Sequence, residues 1–162
     1  MDRKAILETL EAMQIPCTLV EHPPVYTIEE MDVLDLPDAD AVVKNLFVRD
    51  DKKKNYYLLV VRKDRTVNLK EMRTILGSRP LSFASEADLL AILGLLKGHV
   101  TPFGILNDEE RRVQVVFDEE TLSRPSIAVH PGDNEATVWL APADLLKIIE
   151  THGNTVISVS LN

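Results

Sequence analysis

Ala41-Val42-Val43-Lys44-Asn45-Leu46-Phe47-Val48 reads as an apolar strand with two polar residues in its middle, and the fold is best read outward from it. An ammonium or an unpaired amide costs several kcal/mol to bury, roughly 2–7 for a neutral group, so this pair needs either an exit to solvent or a polar purpose. In one reading Lys44 snorkels from the strand end and Asn45 satisfies a turn. In the other the strand opens into a pocket that needs a fixed positive charge with an amide beside it.

Downstream, Arg49 to Asn55 is a charged hairpin loop, and Tyr56-Tyr57-Leu58-Leu59-Val60-Val61 returns as a near-continuous apolar run. Such a run is expected of a central strand covered on both faces. Asn68-Leu69-Lys70-Glu71 has capping-box spacing and opens a helix that Gly77 ends. Leu81 to Ala84 is a short strand, and Ser85 caps a helix from Glu86 to Leu93 that stops at Gly94. Strands are expected at Val113–Asp118, Ser126–Val129, Ala136–Leu140 and Thr155–Val159, with a helix from Pro142 to about Glu150. Upstream, residues 3 to 13 carry Ile6, Leu7, Leu10 and Met13 at helical spacing with Asp2 as N-cap. Cys17 to Glu21 is a strand, and Thr27-Ile28-Glu29-Glu30 starts a short helix with Ile28 and Met31 on one face. The alternation predicts a single α/β domain over residues 1–162, a mixed β-sheet flanked by helices.

The chain has 162 residues, enough to close one core without disulfide or metal support. No apolar run approaches the ~18 residues of a membrane span, the charged N-terminus does not resemble a signal peptide, and a cytoplasmic protein is expected. The single cysteine, Cys17, sits in an apolar context and is expected to be buried. A net charge of −8 argues against indiscriminate DNA or RNA binding. Arg49 to Arg73 nevertheless holds nine basic residues against four acidic ones, a local excess that includes Lys52, Lys53, Lys54 and Arg62. It is either a solvated face or a polyanion contact.

There is no Walker loop, HExxH, paired-cysteine site or nucleophile elbow, and the four histidines His22, His99, His130 and His152 lack zinc-ligand spacing. No metal or cofactor is expected. What remains is Lys44 with Asn45, the segment Gly98-His99-Val100-Thr101-Pro102-Phe103-Gly104, and the loop bearing His130. A glycine- and proline-bounded loop is expected to expose backbone amides that can stabilise an oxyanion. A fixed lysine can hold a phosphate or ribose while water reaches an activated ester.

Val43-Lys44-Asn45-Leu46-Phe47, Gly98 to Gly104, His130-Pro131 and Glu21-His22-Pro23-Pro24-Val25-Tyr26 together resemble the prolyl-tRNA editing family (YbaK/ProX), over roughly Ala5 to Val159. The resemblance implies a trans-acting, metal-free deacylase that clears a wrong amino acid from the acceptor end of tRNA(Pro), closest to the free-standing members that remove alanine. It implies Lys44 as anchor of the terminal nucleotide and ester, with Asn45 beside it. Gly98, His99, Thr101 and Pro102 would position carbonyl and water, and Ile28, Met31 and His130 would line an amino-acid pocket that admits alanine and crowds proline. Lys52, Lys53, Lys54 and Arg62 are the expected tRNA contacts, and prolyl-tRNA synthetase is a candidate partner. The same reaction on cysteinyl or seryl esters, or a non-catalytic binding module, stays open. Strand alternation puts Lys44 and Asn45 on opposite faces unless the strand is bulged or begins there.

Overall fold

Tyr56–Arg62 (β3) is the strand around which the molecule closes: in the computed structural model, which describes residues 2–161, it is third of five in a mixed sheet. Val43–Asp50 (β2) pairs with it antiparallel, from Val43 opposite Arg62 to Arg49 opposite Tyr56. Leu81–Phe83 (β4) adds antiparallel to the far end of β2, opposite Val48 to Asp50. On the other side Val113–Asp118 (β5) and then Val156–Val159 (β8) continue the sheet in parallel. Leu58 and Leu59 are both 0% exposed because they point to opposite, equally covered faces. Leu58 joins Phe47, Val115, Leu145 and Ile149 beneath the helices Arg3–Ala12 (α1) and Pro142–His152 (α6), while Leu59 meets Val48, Val116 and Met72 of helix Leu69–Leu76 (α3).

A second sheet is the departure from the single sheet expected. Thr18–Glu21 (β1), Ala136–Leu140 (β7) and Ile127–Val129 (β6) form a three-stranded antiparallel unit in the order β1-β7-β6. Val129, Val138 and Leu140 pack into the core shared with the larger sheet. On the opposite face Ala128 and Trp139 meet Val25 and Met31 around the short helix Ile28–Asp32 (α2). Among the described residues one parallel backbone bridge, Val42 to Ala128, links the two sheets.

The sequence caps hold. Asp2 accepts from the Ala5 amide, Thr27 from Glu30, Asn68 from Lys70 and Glu71, and Ser85 from Asp88. Gly77 and Gly94 end their segments in the left-handed region that a side chain would strain. Ser85 opens one α-turn, Glu86–Asp88 (α4), that widens into a π-turn over Leu89–Leu93. Glu119–Leu122 (α5) is a single turn after β5. Cys17, expected inside, is exposed, since it precedes β1 where the chain has left the core.

The β6–β7 connection is held from three sides. Arg3 makes a two-point ion pair with Asp133 at 2.9 Å, the Thr101 hydroxyl donates to the His130 carbonyl at 2.5 Å, and His130 Nδ1 lies 2.9 Å from the Ala136 carbonyl. A carbonyl can only accept, so Nδ1 carries the hydrogen and Nε2 of the neutral ring is left as acceptor. Burial lowers the His130 pKa, opposed by the Ala136 bond and reinforced by His22.

Replacing either Leu58 or Leu59 by Ala should cost about 2–5 kcal/mol in denaturant unfolding, the loss expected where both faces are closed. A cost under about 1 kcal/mol at either would show that face to be open. Because the folded His130 binds its proton less readily than the unfolded chain, wild-type stability should fall as pH drops below about 6.5. The slope should be shallower in His130→Asn, whose amide can keep the Ala136 bond; equal slopes would refute the assignment.

Candidate active site

Between the Val42–Ala128 bridge and β4, one edge of β2 is covered by no strand of the described residues. The Phe47 carbonyl accepts from the Ala84 amide on that side, so by two-residue alternation the peptide groups of Asn45 point to the same, uncovered edge. A cleft of about 410 Å³ fills the gap where the two sheets part. Val43, Lys44, Asn45 and Leu46 form one wall, Ala128, Val129, His130 and Thr137 the opposite one, and Tyr26, Ile28 and Met31 one end.

The register of β2 against β3 is one to one through Lys44 and Asn45, so no bulge resolves the alternation problem. The two side chains leave opposite faces, and both border the cleft because it wraps the open edge. Lys44 turns to the α3 side, where its ammonium donates to the Arg65 carbonyl. Asn45 takes the side of the main core, and its Oδ1 is buried without a hydrogen-bond partner. Ile28 and Met31 are separated from His130 by about a hundred residues in the chain, and all three line this cleft.

The glycine-bounded segment differs from expectation. Gly98 and Val100 line the cleft; His99, Thr101 and Pro102 do not. Pro102–Asn107 is a 3-10 helix, started by proline at its first turn, in which the Gly104 amide bonds the Thr101 carbonyl and the Phe103 amide meets Thr101 Oγ1. The Phe103 and Gly104 amides are thus consumed locally. Thr101 is fully buried and acts behind the wall through its bond to His130, while His99 stands near enough to Asp133 and His130 to influence both charges.

The basic window does not form one surface. Lys52, Lys53 and Lys54 sit at the β2–β3 hairpin tip, the length of β2 away from Lys44, roughly 20 Å at ~3.3 Å per residue. Arg62 is at the cleft end of β3 but is occupied by Glu120, by Asp118 at 3.7 Å and by Asp64 at 3.9 Å. Residues that sequence reasoning did not single out also border the cleft. Lys63, paired with Asp32 at 3.0 Å, belonged to the basic window, and Tyr26 to a quoted motif. Thr137 carried no local signal; its hydroxyl lies 2.8 Å from His22 Nε2, whose Nδ1 meets the Pro23 carbonyl at 2.8 Å.

Among the described residues no group of three or more His, Cys, Asp or Glu side chains is placed to hold a metal ion, and no helix is long and apolar enough to cross a membrane. The arrangement offers a cation, strand-edge peptide groups, a neutral imidazole and an apolar end, which together suit binding and polarising a small acyl ester.

The model of the aminoacyl-tRNA editing domain matches residues 22–148. Prolyl-tRNA editing protein ProX of Acetoanaerobium sticklandii is 49% identical over 162 residues, covering 99% of each chain. Prolyl-tRNA synthetase associated domain-containing protein 1 of Danio rerio is 38% identical, covering 99% of this chain and 88% of its own. The crystal structure of a protein provisionally described as a trans-editing enzyme for prolyl tRNA synthetase shares the fold, with TM-score 0.73 at 22% identity over 98% of this chain and 94% of its own. The match spans the strand with Lys44, the Gly98 loop and His130 alike, and the chain belongs to the aminoacyl-tRNA editing domain family.

Proposed function

We propose that the protein is a trans-acting aminoacyl-tRNA deacylase that hydrolyses alanine from mischarged tRNA(Pro), without a metal and in the cytoplasm. The observation that carries the reading is the cleft at the open edge of β2, which joins Lys44 and Asn45 to an apolar end closed by Ile28, Met31 and His130. The full-length likeness to a prolyl-tRNA editing protein supports the tRNA class.

The aminoacyl side chain enters the apolar end, where the bulk of Ile28, Met31 and His130 would admit a methyl group and crowd the proline ring. Lys44 stands at the mouth, where its charge meets the phosphate and ribose of the terminal nucleotide. Backbone groups of Asn45, Gly98 and Val100 border the place of the ester carbonyl. Water adds to that carbonyl, the bond to the ribose oxygen breaks, and that oxygen leaves with a proton, the neighbouring ribose hydroxyl assisting. An aminoacyl ester is reactive enough that orientation and charge stabilisation can supply the acceleration without a protein nucleophile. Thr101, Pro102 and His99 then serve by holding the wall. Prolyl-tRNA synthetase is the proposed protein partner, in keeping with the name of the Danio rerio relative.

Single-turnover assays should show alanyl-tRNA(Pro) cleaved well ahead of prolyl-tRNA(Pro) and cysteinyl-tRNA(Pro), with Lys44→Ala slower by at least about 100-fold. Cleavage of cysteinyl or seryl ester in preference would reassign the substrate. Retained aminoacyl-tRNA binding with no cleavage of any ester would make the protein a binding module. Replacing Lys52, Lys53 and Lys54 together with Gln should lower the salt slope of tRNA binding by up to about 2–3 and leave hydrolysis of alanyl-adenosine unchanged. Equal loss on both substrates would place these lysines in a structural role.

A further inference from the structure

Tyr26 is 64% exposed, yet its backbone is tied down on both sides. On one side the Val25 amide bonds the Asn134 carbonyl at 3.2 Å, and the buried Asn134 side chain returns a bond to the Val25 carbonyl at 2.8 Å. On the other, Thr27 caps α2, and the Tyr26 amide meets Glu30 Oε2 at 3.4 Å. The ring lies against Gly98 so closely that a β-carbon there would stand 2.7 Å from its Cδ1, and Gly98 adopts φ +85°. A side chain at position 98 would therefore both strain the backbone and displace the ring. An aromatic ring held in place on fixed backbone but left mostly in water gains little for the fold. It is a surface prepared for a flat partner.

The same cleft is bordered by Lys44 and Lys63, suited to phosphate, while its apolar end lies beneath α2. A ligand with its acyl group at that end and its phosphate near the lysines leaves its base at the rim. We propose that Tyr26 is a positioning residue that stacks on the base of the 3′-terminal adenosine of the tRNA. This rests on the deacylase reading above. Stacking of this kind is tolerant of base identity and supplies affinity through the ring face.

The test compares Tyr26→Ala, Tyr26→Phe and Tyr26→Leu on alanyl-tRNA(Pro), on alanyl-adenosine and on alanine ethyl ester, which carries no base. Tyr26→Ala should lose roughly 5- to 100-fold in kcat/KM on both adenosine-bearing esters, chiefly through KM. Phe should restore the rate and Leu should not, and the ethyl ester should be unaffected by any of the three. An unchanged Ala variant, rescue by Leu equal to rescue by Phe, or the same loss on the ethyl ester would overturn the proposal. Should wild type cleave none of these esters, the deacylase reading fails by itself. The stacking is then decided by titration with adenosine 5′-monophosphate: upfield shifts of the Tyr26 ring protons support it, and unmoved signals refute it.

Discussion

β2 changes neighbours halfway along its length, and the rest of the molecule is arranged around that change. Peptide groups on a strand edge must be paired, solvated or given to a ligand. β4 pairs the edge from Val48 to Asp50, and Ala128 bridges it at Val42. Between them the two sheets part, and the edge at Asn45 faces a cleft. β3 makes this affordable to the fold, because a strand buried on both faces holds β2 in register wherever its outer edge is bare. The cleft is thus the gap left by an unfinished sheet.

The charges around the cleft follow from the same geometry. Lys44 leaves the face opposite Asn45, and its ammonium is held by the Arg65 carbonyl on the α3 side of β2. Lys63 is offset by Asp32, and Arg62 by a cluster of carboxylates around Asp118. His130 faces inward, where burial favours the neutral ring and the Ala136 carbonyl fixes its tautomer. The positive potential that a nucleotide would meet is therefore concentrated at the rim, in a chain whose overall charge is −8.

The elements whose signals are local were legible in the sequence. Asn68, Ser85 and Thr27 cap where their spacing says, and the run Tyr56 to Val61 is the buried strand it resembles. The second sheet was not legible, because β1 and β7 pair across more than a hundred residues and each alone is a short apolar segment. Of the residues singled out by motif or by the family resemblance, Lys44, Asn45, Ile28, Met31, Gly98 and His130 line one cleft. Thr101 misled because a threonine between glycine and proline reads as exposed loop, whereas its hydroxyl is spent on the His130 carbonyl. The basic window misled because linear charge density says nothing of partners: the hairpin puts Lys52 to Lys54 at one end and Arg62, already paired, at the other.

That separation bears on how a cleft of this kind could be selective. Walls of packed side chains exclude a larger acyl group by overlap, since interiors yield little volume, but they reject a smaller one poorly. Rejection of proline can therefore be built from Ile28, Met31 and His130 alone, while glycine would fit wherever alanine does. On the proposed reading the cleft would meet only the terminal nucleotide, which is common to all tRNAs, and so would not tell one tRNA from another. Discrimination among tRNAs has to come from protein surface remote from the ester. The hairpin tip, about 20 Å from Lys44 and bearing three adjacent lysines, is a surface at a distance suited to the stem behind the acceptor end. Amino-acid choice and tRNA choice would then be made at opposite ends of one hairpin, joined by the rigid pairing of β2 with β3.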